Sequence, residues 1–541
     1  MLKLPQRDTK TLLAIHGWSG ILLGLLLYTV ICTGVAAVFA EEINDWASPL
    51  SHADSSVAFT PGIDTAVRRH AAEVDPQFLE EIAIFPSAGG RVNMRYHRDE
   101  VDPDGKPSAR GVEVEMDPAT WQPLARRAGW EDEIEAKTRA SGIADWLINL
   151  HVRLHIPEPY GLFVTGVLGL AMMIAAITGL VVHRHLLTDL FTLRLGRDAL
   201  LRRRDLHVVA GSWNLPFANI LAFTGSFFSF ASSIGLPAIA MVQFGGNQEA
   251  LADTLYGTAQ PENRAPGTLA NLEAMLADAR ARNHAEPDYV SIEHYGRADA
   301  TVTVSTALPA NTLVYSSFIY EGITGAFIRE KPPIGKIPSF GGSLLGLMYP
   351  LHFGNFAGVA SKAVWVGLGG AAAYVSLTGM LLWTRRREEQ PAWRRMARAV
   401  HYVGYGLPLG LVCAPYAFFL LKDSTVSAIT LQDIAFLVVA ALAAAPTLLI
   451  GDLDRLRRAL LAITGIALIG LPPIRWMTGG PGWGAAWNAG IGAVPVIDAA
   501  LVVFGALCLS AARSRLLGRA ADDAVRAAES SRPASSEATS A

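Results

Sequence analysis

Cysteine is almost missing from this chain of 541 residues. Its three examples, Cys32, Cys413 and Cys508, all fall inside apolar runs, which excludes a CxxC zinc or iron–sulfur framework and leaves them as small buried hydrophobes. Charge is scarce too: Lys, Arg, Asp and Glu make up 17% of the chain, the formal net charge is -3, and no long basic stripe occurs, so nucleic acid is not an expected partner. No GxGxxG follows a strand-like run, and the segments on the arginine-rich side of the apolar runs are too short for a nicotinamide or flavin domain. No HExxH motif accompanies any histidine pair. No carboxylate stands in the middle of an apolar run. Asp423, Asp433, Asp452 and Asp498 all lie near ends, which argues against a proton-coupled carrier.

What the chain does have is apolar length. At 51% hydrophobic residues it is too apolar for one soluble domain and too long for a single membrane bundle, so membrane and soluble parts must alternate. Apolar runs at about 12–40, 161–182, 208–231, 357–383, 400–421, 434–450, 456–474 and 494–512 read as eight spans. Val38-Phe39-Ala40 before Glu41-Glu42 also resembles a signal cleavage site, but the first run is nearly twice the length of a signal core and cleavage would discard His16. Arginines gather after every even-numbered span: Arg184, Arg194, Arg197 and Arg202 to Arg204, then Arg385 to Arg387, then Arg455, Arg457 and Arg458, then Arg513, Arg515 and Arg519. Cationic loops stay in the cytoplasm, which puts both termini there and two long loops outside.

The expected division is therefore a first transmembrane helix (10–40), an outer unit (41–150), transmembrane helices two and three with a cytoplasmic loop (151–231), a second outer unit (232–351), a fourth transmembrane helix (352–385), a C-terminal four-helix membrane extension (399–512) and a disordered tail (513–541). In the first outer unit a helix at 65–74 precedes strand-like runs at 81–85, 91–97 and 112–116, closed by Asp117-Pro118-Ala119-Thr120. In the second a helix at 269–282 precedes runs at 289–294, 301–306 and 314–320, closed by Glu321-Gly322-Ile323-Thr324-Gly325. Each is expected to be a small α+β unit.

The order helix, α+β unit, helix thus occurs twice. Thr-Gly recurs in each of the first four spans, at Thr33-Gly34, Thr178-Gly179, Thr224-Gly225 and Thr378-Gly379, and both His16 to Gly34 and His207 to Gly225 cover 18 positions. A duplication explains this. Small residues that merely let helices approach explain any one glycine alone.

Histidines flank the same spans, and an imidazole at a bilayer edge is costly unless it has work to do. In an up-down bundle the first and third spans lie on one diagonal and the second and fourth on the other. His16 and His207 then form a cytoplasmic-side pair, and His155 or His151 forms an outer pair with His352. Each pair can supply two axial imidazoles to one haem, and Gly20 and Gly211, four residues after His16 and His207, leave room for a porphyrin. His183 competes with His16 or His207 as a ligand. His151 and His155, at i,i+4, also suit a metal pair such as a zinc site, while His185 and His401 read as interfacial. His52, His70, His97, His284 and His294 read as ordinary surface histidines. Arg153 suits either a haem propionate or an interfacial anchor.

Outer units ending in strand-Asp-Pro-x-Thr or strand-Glu-Gly-x-Thr-Gly, alternating with helices that carry Leu-His and Thr-Gly, resemble the PepSY-associated transmembrane proteins of bacterial inner membranes. Gly179-Leu180-Val181-Val182-His183-Arg184, Leu190 to Arg194, Asp205-Leu206-His207 and Leu215-Pro216-Phe217 look like the family's segment joining helices two and three, and Pro350-Leu351-His352-Phe353-Gly354 like the start of its fourth helix. The resemblance covers roughly residues 10 to 390. Within an all-α polytopic membrane protein of about eight transmembrane helices, it implies a four-helix haem-binding core and two small periplasmic α+β PepSY-like domains, and it leaves the role of spans five to eight open. It also implies two haems b, with His16, His151, His155, His183, His207 and His352 at candidate haem positions, and a link to iron uptake by reduction of a ferric siderophore or other ferric chelate. The electron donor is then a membrane quinol or a partner protein. The opposing expectation is a transporter or anchoring protein without redox chemistry. A further alternative is an electron conduit to another periplasmic acceptor.

Overall fold

The computed structural model describes residues 5–47, 58–87, 90–103, 107–137, 142–182, 191, 199–255, 261–308, 313–335 and 337–513. Among the described residues seven helices are long and apolar enough to cross a membrane, or eight when a bent pair counts as one span. That pair is the first span, Gln6–Leu22 and Gly24–Ala37, bent by 66°. The second is Tyr160–Val182 and the third Ala199–Phe230, which continues through a π-turn at Ala231–Gly235 into Leu236–Phe244. The fourth is Gly358–Arg385, and the last four are Pro391–Leu420, Ala428–Leu449, Leu453–Met477 and Ala493–Arg513. The first span packs on the second and fourth, and the third packs on the same two, so the first and third face each other across the bundle as expected.

Of the short helices that were not expected, two stand directly before spans of the bundle. Gly142–Arg153 stands before the second span and Phe340–Phe353 before the fourth. They occupy equivalent places in the two repeats, and each carries one of the histidines discussed below.

The outer units depart from expectation in a more basic way. They are not two separate domains but one eight-stranded antiparallel sheet, ordered β4-β3-β2-β1-β5-β6-β7-β8. β1 (Glu81–Ser87), β2 (Arg91–Val101), β3 (Pro107–Asp117) and β4 (Gln122–Trp130) form one meander, and β5 (Pro287–Glu293), β6 (Thr301–Thr306), β7 (Ser316–Glu321) and β8 (Phe327–Lys331) form the other. The meanders join where β1 pairs antiparallel with β5, Ile82 opposite Ile292 and Ile84 opposite Val290. The reason is physical: a four-stranded meander leaves the backbone donors and acceptors of its first strand unpaired, and the second copy offers a matching edge. The outermost strands, β4 and β8, escape the sequence patterns because they are edge strands, largely exposed and interrupted by Arg126, Arg127 and Arg329.

One face of this sheet is apolar. Ile82, Ile84, Met94, Tyr96, Val290, Ile292, Val302 and Val304 pack under the helices Ile63–Ala71 and Leu272–Asn283. The opposite face is polar and turns toward the membrane helices. Two supposed surface histidines belong to the folded unit: His70 is 3% exposed with Nδ1 3.2 Å from Glu73, and His97 lies 3.5 Å from Glu81. Burial is the largest influence on His97 and opposes its charge, but the hydrogen bond and charge of Glu81, with a backbone bond at Arg95 and the charge of Asp99, together outweigh it and raise its pKa.

Candidate functional site: two facing histidine pairs

The structure brings four of the six candidate histidines together, two by two, one from each repeat. His16 faces His207 with ring centroids 6.5 Å apart. His151 faces His352 at 6.2 Å.

Each imidazole is seated by a Thr-Gly pair on another helix. His16 Nδ1 lies 2.8 Å from the carbonyl of Ala175, beside Thr178. His151 Nδ1 lies 2.8 Å from the carbonyl of Val30, three residues before Thr33. His207 Nδ1 is 3.1 Å from Thr378 Oγ1, and His352 Nδ1 is 2.9 Å from Thr224 Oγ1. Thr378 and Thr224 give their single hydroxyl proton to their own helix, at Tyr374 and Ile220, so toward histidine each oxygen accepts. A carbonyl only accepts as well. All four rings therefore donate from Nδ1, which fixes the tautomer and leaves Nε2 with a free lone pair.

The glycines make room for the rings. A Cβ would lie 3.2 Å from His16 Cε1 at Gly179 and 3.1 Å from His207 Cε1 at Gly379. It would lie 2.8 Å from His151 Cε1 at Gly34 and 3.2 Å from His352 Cε1 at Gly225. The recurrent Thr-Gly pairs are thus histidine seats as well as packing positions, a role the sequence reading missed.

His155 stands elsewhere. The helix Gly142–Arg153 ends before it, Leu154 and His155 take left-handed backbone angles (φ 55° and 54°), and the ring leaves the face that carries His151. His155 Nε2 sits 3.0 Å from the Trp146 carbonyl and Nδ1 3.3 Å from Asp433. Of the two histidines left open as the outer partner of His352, it is His151 whose ring faces it, and the i,i+4 zinc pair does not form. Among the described residues no three His, Cys, Asp or Glu side chains converge as a metal cluster. His183 and His185 lie outside the described residues. Arg153 pairs with Glu158 at 2.9 Å, and His401 bonds its own helix at Ala397.

A linear two-imidazole metal centre fits these separations. Metal–imidazole bonds of about 2.0–2.1 Å, taken in line with the ring radii, put the centroids roughly 6 Å apart. Open space lies where a flat ligand would extend: no atom comes within 4 Å of a Cβ at Gly20, and at Gly211 only Val375 methyls do, at 3.7 and 3.9 Å. The donor sets of both pairs, and the open glycine faces beside the first, suit a haem.

Above the second pair a cavity of about 330 Å³ opens between the polar face of the sheet and the helix Phe340–Phe353. Glu81, Ser291, Glu293, Thr303 and Lys331 line it from the sheet, and Tyr349 from the helix. Tyr349 touches Phe228 (4.9 Å between centroids), and Phe228 meets His352 edge-on at 5.6 Å. Aromatic rings thus bridge cavity and histidine.

This is a multi-pass helical membrane protein whose two halves each lend a ring to both histidine pairs. The chain belongs to the family described as the PepSY-associated TM region, whose model matches residues 13–386. It is also 26% identical over 343 residues, 60% of this chain and 84% of the other, to a protein of Pseudomonas aeruginosa described as uncharacterized. The last four spans lie beyond the matched region.

Proposed function

We propose that this protein is a bis-imidazole, di-haem membrane reductase that carries electrons from one face of the bacterial inner membrane to the other. Its acceptor, on this reading, is a periplasmic ferric chelate such as a siderophore. The observation that carries the reading is the double seating of facing imidazoles, each with Nδ1 tied and Nε2 free. A haem b at each pair would supply one-electron chemistry, its potential set by axial ligation and local dielectric.

The chain's own residues do the rest. In the third span 17 positions (224 minus 207) separate His207 from the seat of His352, about 25 Å of helix, which matches a bilayer core of roughly 30 Å. Phe228 and Tyr349 close the gap between the second pair and the cavity, and the sheet's carboxylates and hydroxyls line the space for an acceptor. Reduction loosens a hard-oxygen chelator's grip on iron and would release it for uptake. The arginine clusters orient the sheet outward and both termini inward.

Full-length protein purified in detergent should show b-type Soret and α bands on reduction with dithionite, with two haems per chain by pyridine haemochrome. His207→Ala and His352→Ala should each remove one haem, whereas His155→Ala should keep both. A chain without these bands ends the redox reading.

A further inference from the structure

The sheet wall of the cavity above the second histidine pair is charged at one end. Glu81 of β1 and Glu293 of β5 stand directly opposite each other at the seam where the two meanders join, and both line the space. Like charges placed opposite on neighbouring strands repel. Hydrogen bonding by His97 holds the Glu81 carboxyl below the usual carboxylate range, so Glu81 is ionised, and the same ring, 3.5 Å away, offsets part of its charge. Ser291 Oγ donates to its other oxygen at 2.9 Å. Glu293 accepts only from the Thr301 hydroxyl, at 3.0 Å, and among the described residues no cation pairs with it.

The rest of the lining favours a ligand of positive charge. Its one cation, Lys331, stands on β8, three strands from β5, which leaves the seam end of the space negative. Tyr289, Tyr315 and Tyr349 also line the cavity, and aromatic faces attract cations. Thr303 enters the same space from β6. It is 7% exposed, and its side-chain hydroxyl has no hydrogen-bond partner among the described residues. A buried hydroxyl without a partner is costly, and a bound polar group supplies what the fold does not. At about 330 Å³ the cavity lies at the lower end for small-molecule sites, room for one arm of a large chelate.

We propose that the acceptor is a ferric chelate with a cationic arm, its ammonium group bound by Glu81 and Glu293 and donating also to Thr303. Such charge-assisted bonds relieve the repulsion at the seam and give the unpartnered hydroxyl its partner. The same two carboxylates select against an anionic chelate. The inference rests on the reading of this cavity as the acceptor site and goes beyond it by fixing the sign of the ligand's charge.

The test is calorimetric binding to the full-length protein in detergent, with gallium(III) in place of iron so that no electron is transferred. Three forms of one linear trihydroxamate chelate differ only at the end of the arm: a free ammonium, its N-acetyl amide and its N-succinyl amide, which are cationic, neutral and anionic. Affinity should fall in that order, the ammonium form binding roughly tenfold more tightly than the acetylated one, as a charge-assisted bond requires. Glu293→Gln should weaken the ammonium form alone and so remove that preference, while binding of the acetylated form reports an intact cavity. Equal binding of the three forms would overturn the proposal. So would an ammonium preference that survives in Glu293→Gln, or binding of none of the three. Gallium reports binding alone, so these outcomes stand apart from the b-type bands that decide the redox reading.

Discussion

At Gly379 a Cβ would press on the edge of His207 at 3.1 Å, and a larger side chain would fill the seat altogether. On the proposed di-haem reading, Gly379→Leu is therefore expected to displace that ring and lower haem content from two to one per chain, read by pyridine haemochrome, while the His151–His352 pair persists. The Thr-Gly pairs were visible in the sequence, but their purpose was not. Each seat lies on a different helix from its ring, and Thr378 is 171 positions from His207. No local pattern reports such a contact. The choice between His151 and His155 escaped for the opposite reason, being local but set by the left-handed turn at Leu154 and His155, which helical spacing does not reveal. In the sheet, burial pushes the Asp288 carboxyl up to about 6, with the charge of Glu41 adding to it. Because the folded pKa exceeds the unfolded one, the ionised form is disfavoured in the fold, and stability falls as pH rises from about 4 through 6. Asp288→Asn should raise the melting temperature at pH 8 and give no gain below pH 4.

Among the elements, the helix Gly142–Arg153 carries His151 and packs mainly on the first span of its own repeat, but its buried polar bonds come from outside the duplicated core. Trp146, fully buried, donates Nε1 to Asp433 of the sixth span at 2.8 Å, and Gln432 donates to the Gly142 carbonyl at 2.8 Å. Trp146, Leu147 and Leu150 share one apolar cluster with Ala414, Phe418 and Ala428 of the fifth and sixth spans. The C-terminal helices, whose role the sequence left open, brace this histidine helix. Asp433→Ala removes the acceptor for a buried indole, a loss of roughly 1–3 kcal/mol. It should speed amide exchange across 142–153 while leaving the helix Phe340–Phe353 unchanged, a contrast that mass spectrometry resolves. Strand and helix positions were legible where alternation was strong: β6 falls at Thr301–Thr306 as read from the sequence. The short helices before the second and fourth spans were not legible, because their apolar residues merge with those of the spans that follow.

Across the whole molecule, membrane character, the approximate places of the spans and the duplication were legible in the sequence because hydropathy and repeated motifs are periodic signals. The union of the two outer units was not, since strand edges pair through backbone groups that carry no side-chain signature. That union has a counterpart in the membrane, where each facing pair takes one ring from the first repeat and one from the second. Neither repeat owns a complete pair, so the molecule behaves as a covalently tethered dimer of unlike halves. A chain cut between residues 191 and 199 and produced as two polypeptides should bind haem only when both fragments are made together. Recovery of one fragment on an affinity tag carried by the other should track the haem content of the eluate.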